Sequence, residues 1–177
     1  MKEIVKDLFE CIDDGADAIC ITTNGMYDHN KEALMGGGCA GVCARRWPQT
    51  ANLLGKHLYD NVLNVPYVIG ALRNNFNQWE NPLTQFIDQK LYKCLIFSYP
   101  TIDDLRYGSN IELIERSSIL LKEYADKLDL KNIVTVRPGS GIGGLSYYED
   151  VRPVISKIFD DRFTIVCQEN DEFRTIV

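Results

Sequence analysis

Ala18-Ile19-Cys20-Ile21-Thr22-Thr23-Asn24-Gly25, followed after a polar loop by Met35-Gly36-Gly37-Gly38-Cys39-Ala40-Gly41, decides how this chain folds. Residues Ala16 to Thr23 read as a buried strand, because Ala18 to Ile21 form a nearly unbroken apolar run, the pattern of a strand covered on both faces. Three consecutive glycines then precede the small apolar residues that open a helix. Glycines without Cβ let backbone N–H groups approach a ligand, and the free N–H groups and positive dipole end of the helix favour a negative group there. The stretch is an anion cradle.

Arg137-Pro138-Gly139-Ser140-Gly141-Ile142-Gly143-Gly144-Leu145 repeats the arrangement after a second apolar run, Ile133 to Val136. Either loop alone is also what an ordinary glycine-rich connection looks like. Two strand–glycine loop–helix junctions in one small chain point to a two-sided clamp. The second loop is not a dinucleotide-binding fingerprint, since it comes late in the chain and no acidic residue ends a following strand about 20 residues on. It is not a P-loop either, because no Lys-Ser or Lys-Thr follows it.

Outward from these loops the chain alternates strands and helices. Asp7 to Ile12 is a short apolar and acidic segment, ended by the turn Asp13-Asp14-Gly15. Tyr27 to Glu32 is an exposed polar excursion. Cys39 to Arg46 forms a short helix, Trp47 anchors a corner, and Pro48 begins a helix through Ala51, Leu54 and Leu58. Pro66 to Leu72 and Tyr92 to Ser98 are strands, separated by the Asn/Gln-rich stretch Asn74 to Glu80 and a short helix around Leu83 to Gln89. The clearest helix is Asn110 to Lys127, with Ile111, Ile114, Ser118, Leu121, Ala125 and Leu128 three and four apart and a capping box of Ser109 and Glu112. A second box, Ser146 to Glu149, opens a helix whose Val151, Val154, Ile155 and Ile158 face the core. Phe163 to Cys167 is the last strand, and a polar tail follows Gln168. The order predicts a three-layer α/β/α sandwich around a mixed or mostly parallel sheet.

Composition narrows the partners. A chain of 177 residues that is 45% hydrophobic and 25% charged suits one globular domain over 1–177, with a core from about 4 to 168 and a tail at 169–177. The net charge of -6 argues against a broad nucleic-acid surface, which needs clustered Lys and Arg. It leaves a phosphate-bearing small molecule open, because glycine-loop N–H groups bind a diphosphate without formal positive charge. Cys11, Cys20, Cys39, Cys43, Cys94 and Cys167 make no CxxC pair, and with two histidines there is no zinc spacing. They read as reduced core residues of a cytoplasmic protein. Neither a signal peptide nor a membrane span is expected, and no metal or cofactor is called for.

Taken together, Lys6-Asp7-Leu8-Phe9, Ile21-Thr22-Thr23-Asn24-Gly25, Leu34 to Ala40, Arg46-Trp47-Pro48, Arg137 to Leu145 and Tyr148-Glu149-Asp150-Val151 resemble a macro domain. The likeness runs from about Asp7 to Cys167, and more narrowly the chain is similar to bacterial and phage macro domain-like proteins near the branch that removes ADP-ribose from glutamate side chains or from DNA. It implies a macro domain fold and ADP-ribose in a cleft across the top of the sheet. Asp7 would accept from the adenine amino group, with Leu8 offering its backbone. Thr23, Asn24, Gly36, Gly37, Gly38, Cys39 and Ala40 would hold the distal ribose and diphosphate. Gly139, Ser140, Gly141, Ile142, Gly143, Gly144 and Leu145 would wrap the diphosphate, and Cys167 and Gln168 are positional candidates for adenine stacking.

Two departures bear on activity. The relatives carry a lysine shortly after a Pro-Thr pair, whereas Pro100-Thr101 is followed by Ile102; they carry an aspartate after the second loop, where this chain has Ser146. Asp103, Asp104 and Arg106 lie beside the first departure, and His29 lies in the polar excursion. The expectation is a monomer that binds ADP-ribose or a derivative and hydrolyses it at the distal ribose, as a de-ADP-ribosylating enzyme or an ADP-ribose 1''-phosphatase. Asn24 is the candidate catalytic residue, holding a water against the ligand. The alternative is a binding module without turnover.

Overall fold

Residues 1–61, 63–74, 78–81 and 91–168 are described by the computed structural model of the chain. The helix expected around 83–89 and the tail after 168 lie outside the described residues.

The apolar runs become strands of one seven-stranded sheet. In chain order these are β1 (Lys2–Val5), β2 (Ala18–Asn24), β3 (Val68–Arg73), β4 (Trp79–Glu80), β5 (Tyr92–Ile102), β6 (Ile133–Val136) and β7 (Phe163–Cys167). Their spatial order is β1-β7-β6-β2-β5-β3-β4. β1, β7, β6, β2 and β5 run parallel, while β3 is antiparallel to both β5 and β4, so the sheet is mixed. The helices are α1 (Gly38–Arg46), α2 (Gln49–Asp60), α3 (Ile111–Lys127) and α4 (Arg152–Ile155), the last entered through a π-helical turn at Tyr147–Val151.

Successive strand side chains point to opposite faces, so each unbroken apolar strand supplies two cores. Ile19, Ile21, Cys94 and Ile96 pack with Cys43, Leu54 and Leu58 of α1 and α2 on one face. Ala18, Cys20, Leu95, Phe97 and Tyr99 pack with Ile114, Leu121, Ala125, Val151 and Ile155 on the other. This is the expected three-layer α/β/α sandwich.

Two strands were not foreseen, and two local expectations need correction. β1 carries no apolar run, because all four of its residues are exposed; it is held by parallel pairing to β7 and by Glu3, which accepts from Tyr147 Oη at 2.7 Å and Arg152 Nε at 2.8 Å. Burial acts to raise the Glu3 carboxyl, but these hydrogen bonds outweigh it and leave it below the usual range. The two-residue β4, inside the Asn/Gln-rich stretch, pairs with the end of β3. β5 continues past Ser98 through Pro100 to Ile102, because its partner β3 ends its pairing at Phe97 and a register shift in β2 accompanies the proline. Finally, α3 is capped by Asn110, whose Oδ1 accepts from Glu112 N at 2.9 Å and Leu113 N at 3.1 Å. Ser109 instead donates its backbone N–H to Gly143 O at 3.0 Å, which ties it to the second glycine loop.

The Ser146 box forms in altered shape. Ser146 Oγ accepts from Glu149 N at 3.3 Å, but the carboxylate reaching back to Ser146 N is Asp150, at 2.8 Å. The wider π turn moves the returning position on by one residue.

Candidate functional site

The parallel strands end together, and Asn24, Ile102, Val136 and Cys167, at the C-terminal ends of β2, β5, β6 and β7, share the floor of an open cleft of about 1440 Å³. A crevice outside the carboxyl ends of parallel strands is where open α/β sheets take ligands. Every residue expected in the ligand shell lines it, from Asp7 and Leu8 through Thr23 and Asn24 and the first glycine loop to Gly139–Leu145.

The first wall is the start of α1. Its N-cap, Gly37, contributes no side chain, so no side-chain oxygen satisfies the first-turn N–H groups. A Cβ at Gly36 would meet nothing within 4 Å, whereas one at Gly41 would lie 2.8 Å from Gly36 O, which lets α1 press directly on the loop. The second wall is Gly139–Leu145, a tight loop closed by Leu145 N donating to Gly139 O at 3.1 Å. Gly139 and Gly144 hold φ of 76° and 79°, a left-handed conformation that side chains resist. Among the described residues, the N–H groups of Ser140, Gly141, Ile142 and Gly143 donate to no protein acceptor. The walls meet at one point, since a Cβ at Gly37 would lie 2.7 Å from Ile142 Cδ1, although Ile142 is 77% exposed.

At one end, Asp7 Oδ1 accepts from Phe9 N at 2.8 Å and Glu10 N at 3.3 Å, which fixes the carboxylate at the start of the turn Glu10–Ile12. Cys167 and Gln168 line the same cleft. At the other end, Asn24 Nδ2 donates to Leu34 O at 2.7 Å and Asn24 Oδ1 accepts from Met26 N at 2.9 Å. Asn24 thereby holds the polar excursion against the strand end. Neighbouring Thr23 is 4% exposed and its Oγ1 has no protein partner; Ser109 Oγ, also on the lining, has none either.

The positions that differ from the relatives have clear structural occupations. Ile102 is 8% exposed and packs at the strand end, while the Ser146 hydroxyl is engaged in the helix cap. Asp104 is closed onto Arg106, with Nη2 to Oδ2 at 2.6 Å; those hydrogen bonds hold its carboxyl down at about 2. Asp103 Oδ1 accepts from Asn64 Nδ2 at 3.1 Å. His29 is exposed and does not line the cleft.

Several lining residues were not expected. Asp28 and Glu32 of the excursion both face the cleft. Asp28 Oδ1 accepts from Asn30 N and Glu32 N, which with its neighbours draws its carboxyl below the usual range. Arg137 lines the second wall with its guanidinium 4.9 Å from the Tyr147 ring centre and 5.1 Å from that of Tyr148. Position beside the quoted glycine loop was the only signal in the sequence for that cation. Cys39 Sγ lies 3.2 Å from Thr22 Oγ1, and burial pushes its thiol up, as it pushes Cys43 and Cys94 up to about 12. These thiols stay protonated, and the described cysteines form no disulfide. Among the described residues no His, Cys, Asp and Glu cluster is arranged to hold a metal. No described helix is long and apolar enough to cross a membrane.

The chain has the macrodomain fold. Over 93% of this chain and 95% of the other it superposes on the macrodomain of Mycobacterium tuberculosis DarG, with a TM-score of 0.68 and 20% identity. The macrodomain of Thermus aquaticus DarG matches with a TM-score of 0.67 and 21% identity, covering 94% of this chain and 97% of that one. Thermosipho africanus DarTG, solved in complex with ADP-ribose, matches with a TM-score of 0.71 and 18% identity over 95% of this chain and 41% of that one. At these identities the fold is what is shared. No protein-family model matches the chain. No curated protein matches it either.

Proposed function

We propose that the protein binds ADP-ribose, or a derivative of it, in the cleft between the two glycine loops. The observation that carries this reading is the meeting of the two walls: an uncapped helix start on one side and a loop with unengaged N–H groups on the other, touching at Gly37 and Ile142. Backbone donors on both sides suit a diphosphate, and a cleft of about 1440 Å³ accommodates a dinucleotide-sized molecule. Asp7, held by the turn it caps, presents a carboxylate that reads an exocyclic amine. A structural neighbour solved with ADP-ribose supports the choice of ligand. Isothermal titration should give micromolar ADP-ribose affinity, about -8 kcal/mol, with AMP and NAD much weaker. No heat with ADP-ribose would remove the reading.

A second reading adds hydrolysis at the distal ribose. Ile102 supplies no nucleophile and the Ser146 hydroxyl is engaged, which disfavours the lysine–aspartate route of the relatives. Glu32, which lines the cleft as Asn24 does, is our candidate base for a water in such a reaction. Assays on ADP-ribosylated protein, ADP-ribosylated DNA and ADP-ribose 1''-phosphate decide it: turnover that Glu32→Gln removes without weakening ADP-ribose binding would establish an enzyme. Inactivity on all three would leave a binding module.

A further inference from the structure

A nucleotide needs its base held as well as its diphosphate, and the end of the cleft that carries Asp7 has a place for one. β7 lies between β1 and β6 in the sheet. Lys6 N donates to Cys167 O at 3.0 Å, with Asp7 next in the chain, while Val136 pairs with Val166 and Arg137 follows it. Lys6 and Arg137 therefore leave the sheet on either side of Cys167, two strand spacings or about 10 Å apart. Cys167 turns its Sγ to Ile4 O, at 3.9 Å, and offers no flat face to a base between them.

Among the described residues that line the cleft, Phe9, Tyr147 and Tyr148 are aromatic. Phe9 and Tyr147 are 4% and 3% exposed and belong to the two cores, whereas Tyr148 is 45% exposed. Tyr148 is nevertheless held in place. Arg137 Nη2 donates to its hydroxyl at 2.9 Å, and its ring stands edge-on to that of Tyr147, with centres 5.2 Å apart and an interplanar angle of 72°. The Arg137 guanidinium lies against both rings. Tyr147 Oη in turn donates to Glu3 of β1, which also accepts from Arg152 Nε, so the π turn bearing Tyr148 is tied to the strand that leads to Asp7. An exposed aromatic ring that is fixed on a cleft wall and buried in neither core is a surface that a flat ligand covers with little loss of side-chain entropy.

We propose that Tyr148, braced by Arg137, is the platform on which the adenine of ADP-ribose stacks. The proposal rests on the reading of the main cleft as an ADP-ribose site. It gives the base two contacts of different kinds: the Asp7 carboxylate takes the exocyclic amine at the edge, and the Tyr148 ring covers a face. It also takes the stacking role from Cys167 and Gln168 at the end of β7.

The test is NMR spectroscopy and titration of ADP-ribose on the full chain. In the wild-type complex the adenine H2 and H8 resonances should move upfield through the ring current of Tyr148 and show Overhauser contacts to its ring protons. Tyr148→Leu should abolish the upfield shift and weaken ADP-ribose about five- to thirtyfold, the lower part of the range for a base on an aromatic ring. Its denaturant midpoint should not change, because the side chain is half exposed. Tyr148→Phe, which gives up the hydrogen bond from Arg137 and keeps the ring, should retain the shift and lose no more than about threefold in affinity. An adenine without Overhauser contacts to Tyr148, or an upfield shift that persists in Tyr148→Leu, overturns the platform while leaving the ADP-ribose reading intact. So does an equal loss of affinity in Tyr148→Phe and Tyr148→Leu, which would make the hydroxyl the contact. Failure of ADP-ribose itself to bind overturns both readings. Should Tyr148→Leu fail to fold, the Overhauser contacts in the unaltered protein still decide.

Discussion

The two glycine loops look alike in sequence and do different physical work. In the first, Gly36 has open space where a side chain would begin, and the loop delivers an uncapped helix start to the cleft. In the second, Gly139 and Gly143 are demanded by the loop's own packing. A Cβ at Gly143 would lie 1.8 Å from Ser109 Oγ and 2.7 Å from Gly139 O, and one at Gly139 would lie 2.8 Å from Ile114 Cδ1. The first loop leaves open space in the cleft at Gly36, and in the second Gly139 and Gly143 keep side chains away from the protein. A glycine therefore needs its surroundings before it can be assigned to binding or to folding.

Substitutions at the two loops should separate these roles. The largest effect is expected from Gly143→Ala, where the new methyl meets backbone as well as the Ser109 side chain. Overpacking of this kind costs about 3 kcal/mol, read as a fall in the denaturant midpoint. Wild-type stability in that variant would show that the second loop is as free as the first. Gly37→Glu should do the opposite, leaving unfolding within about 1 kcal/mol of the parent while weakening ADP-ribose by about 100-fold or more, since it places a charge and bulk between the walls. Its only close neighbour is the end of the flexible Ile142 side chain, which can move aside.

Smaller effects sharpen the contrast. Ile142→Ala removes an exposed side chain that the fold does not use, so unfolding should not change, whereas ADP-ribose affinity should fall about three- to tenfold if that side chain covers the diphosphate. Unchanged affinity would mean that the walls touch without clamping. The least change is expected from Ser109→Ala. Its hydroxyl has no protein partner, and deleting an unpaired buried group should leave stability within about 0.5 kcal/mol or raise it slightly. A clear loss would reveal a hydrogen bond, direct or through water, beneath the second loop.

Legibility followed the strength of the local signal. The apolar run at Ala18–Ile21 and the group Ile133, Val134 and Val136 read as buried strands, and the spacing of Ile114, Leu121 and Ala125 as a core-facing helix. Where tertiary pairing replaces local pattern, the sequence was silent. β1 is exposed along its length and exists because β7 offers an edge; β4 is two residues long and exists because β3 does. Asn110 and Ser109 are equally good caps by chemistry, and the choice between them was made by Gly143, whose carbonyl holds Ser109 from across the fold.

The same division runs through the site. The backbone-donor loops were legible because glycines between a strand and a helix are a local arrangement, and local rules act within a few residues. From sequence alone came the layered α/β architecture, the order of its helices and of the strands β2, β3, β5, β6 and β7, and the two glycine loops as facing walls of one cleft. Tertiary structure decided that Asp28, Glu32 and Arg137 line that cleft and that His29 does not. These are matters of which side chains the strand ends and loops bring together across tens of residues, and no periodicity or spacing encodes a distance between segments that meet only when the sheet has formed.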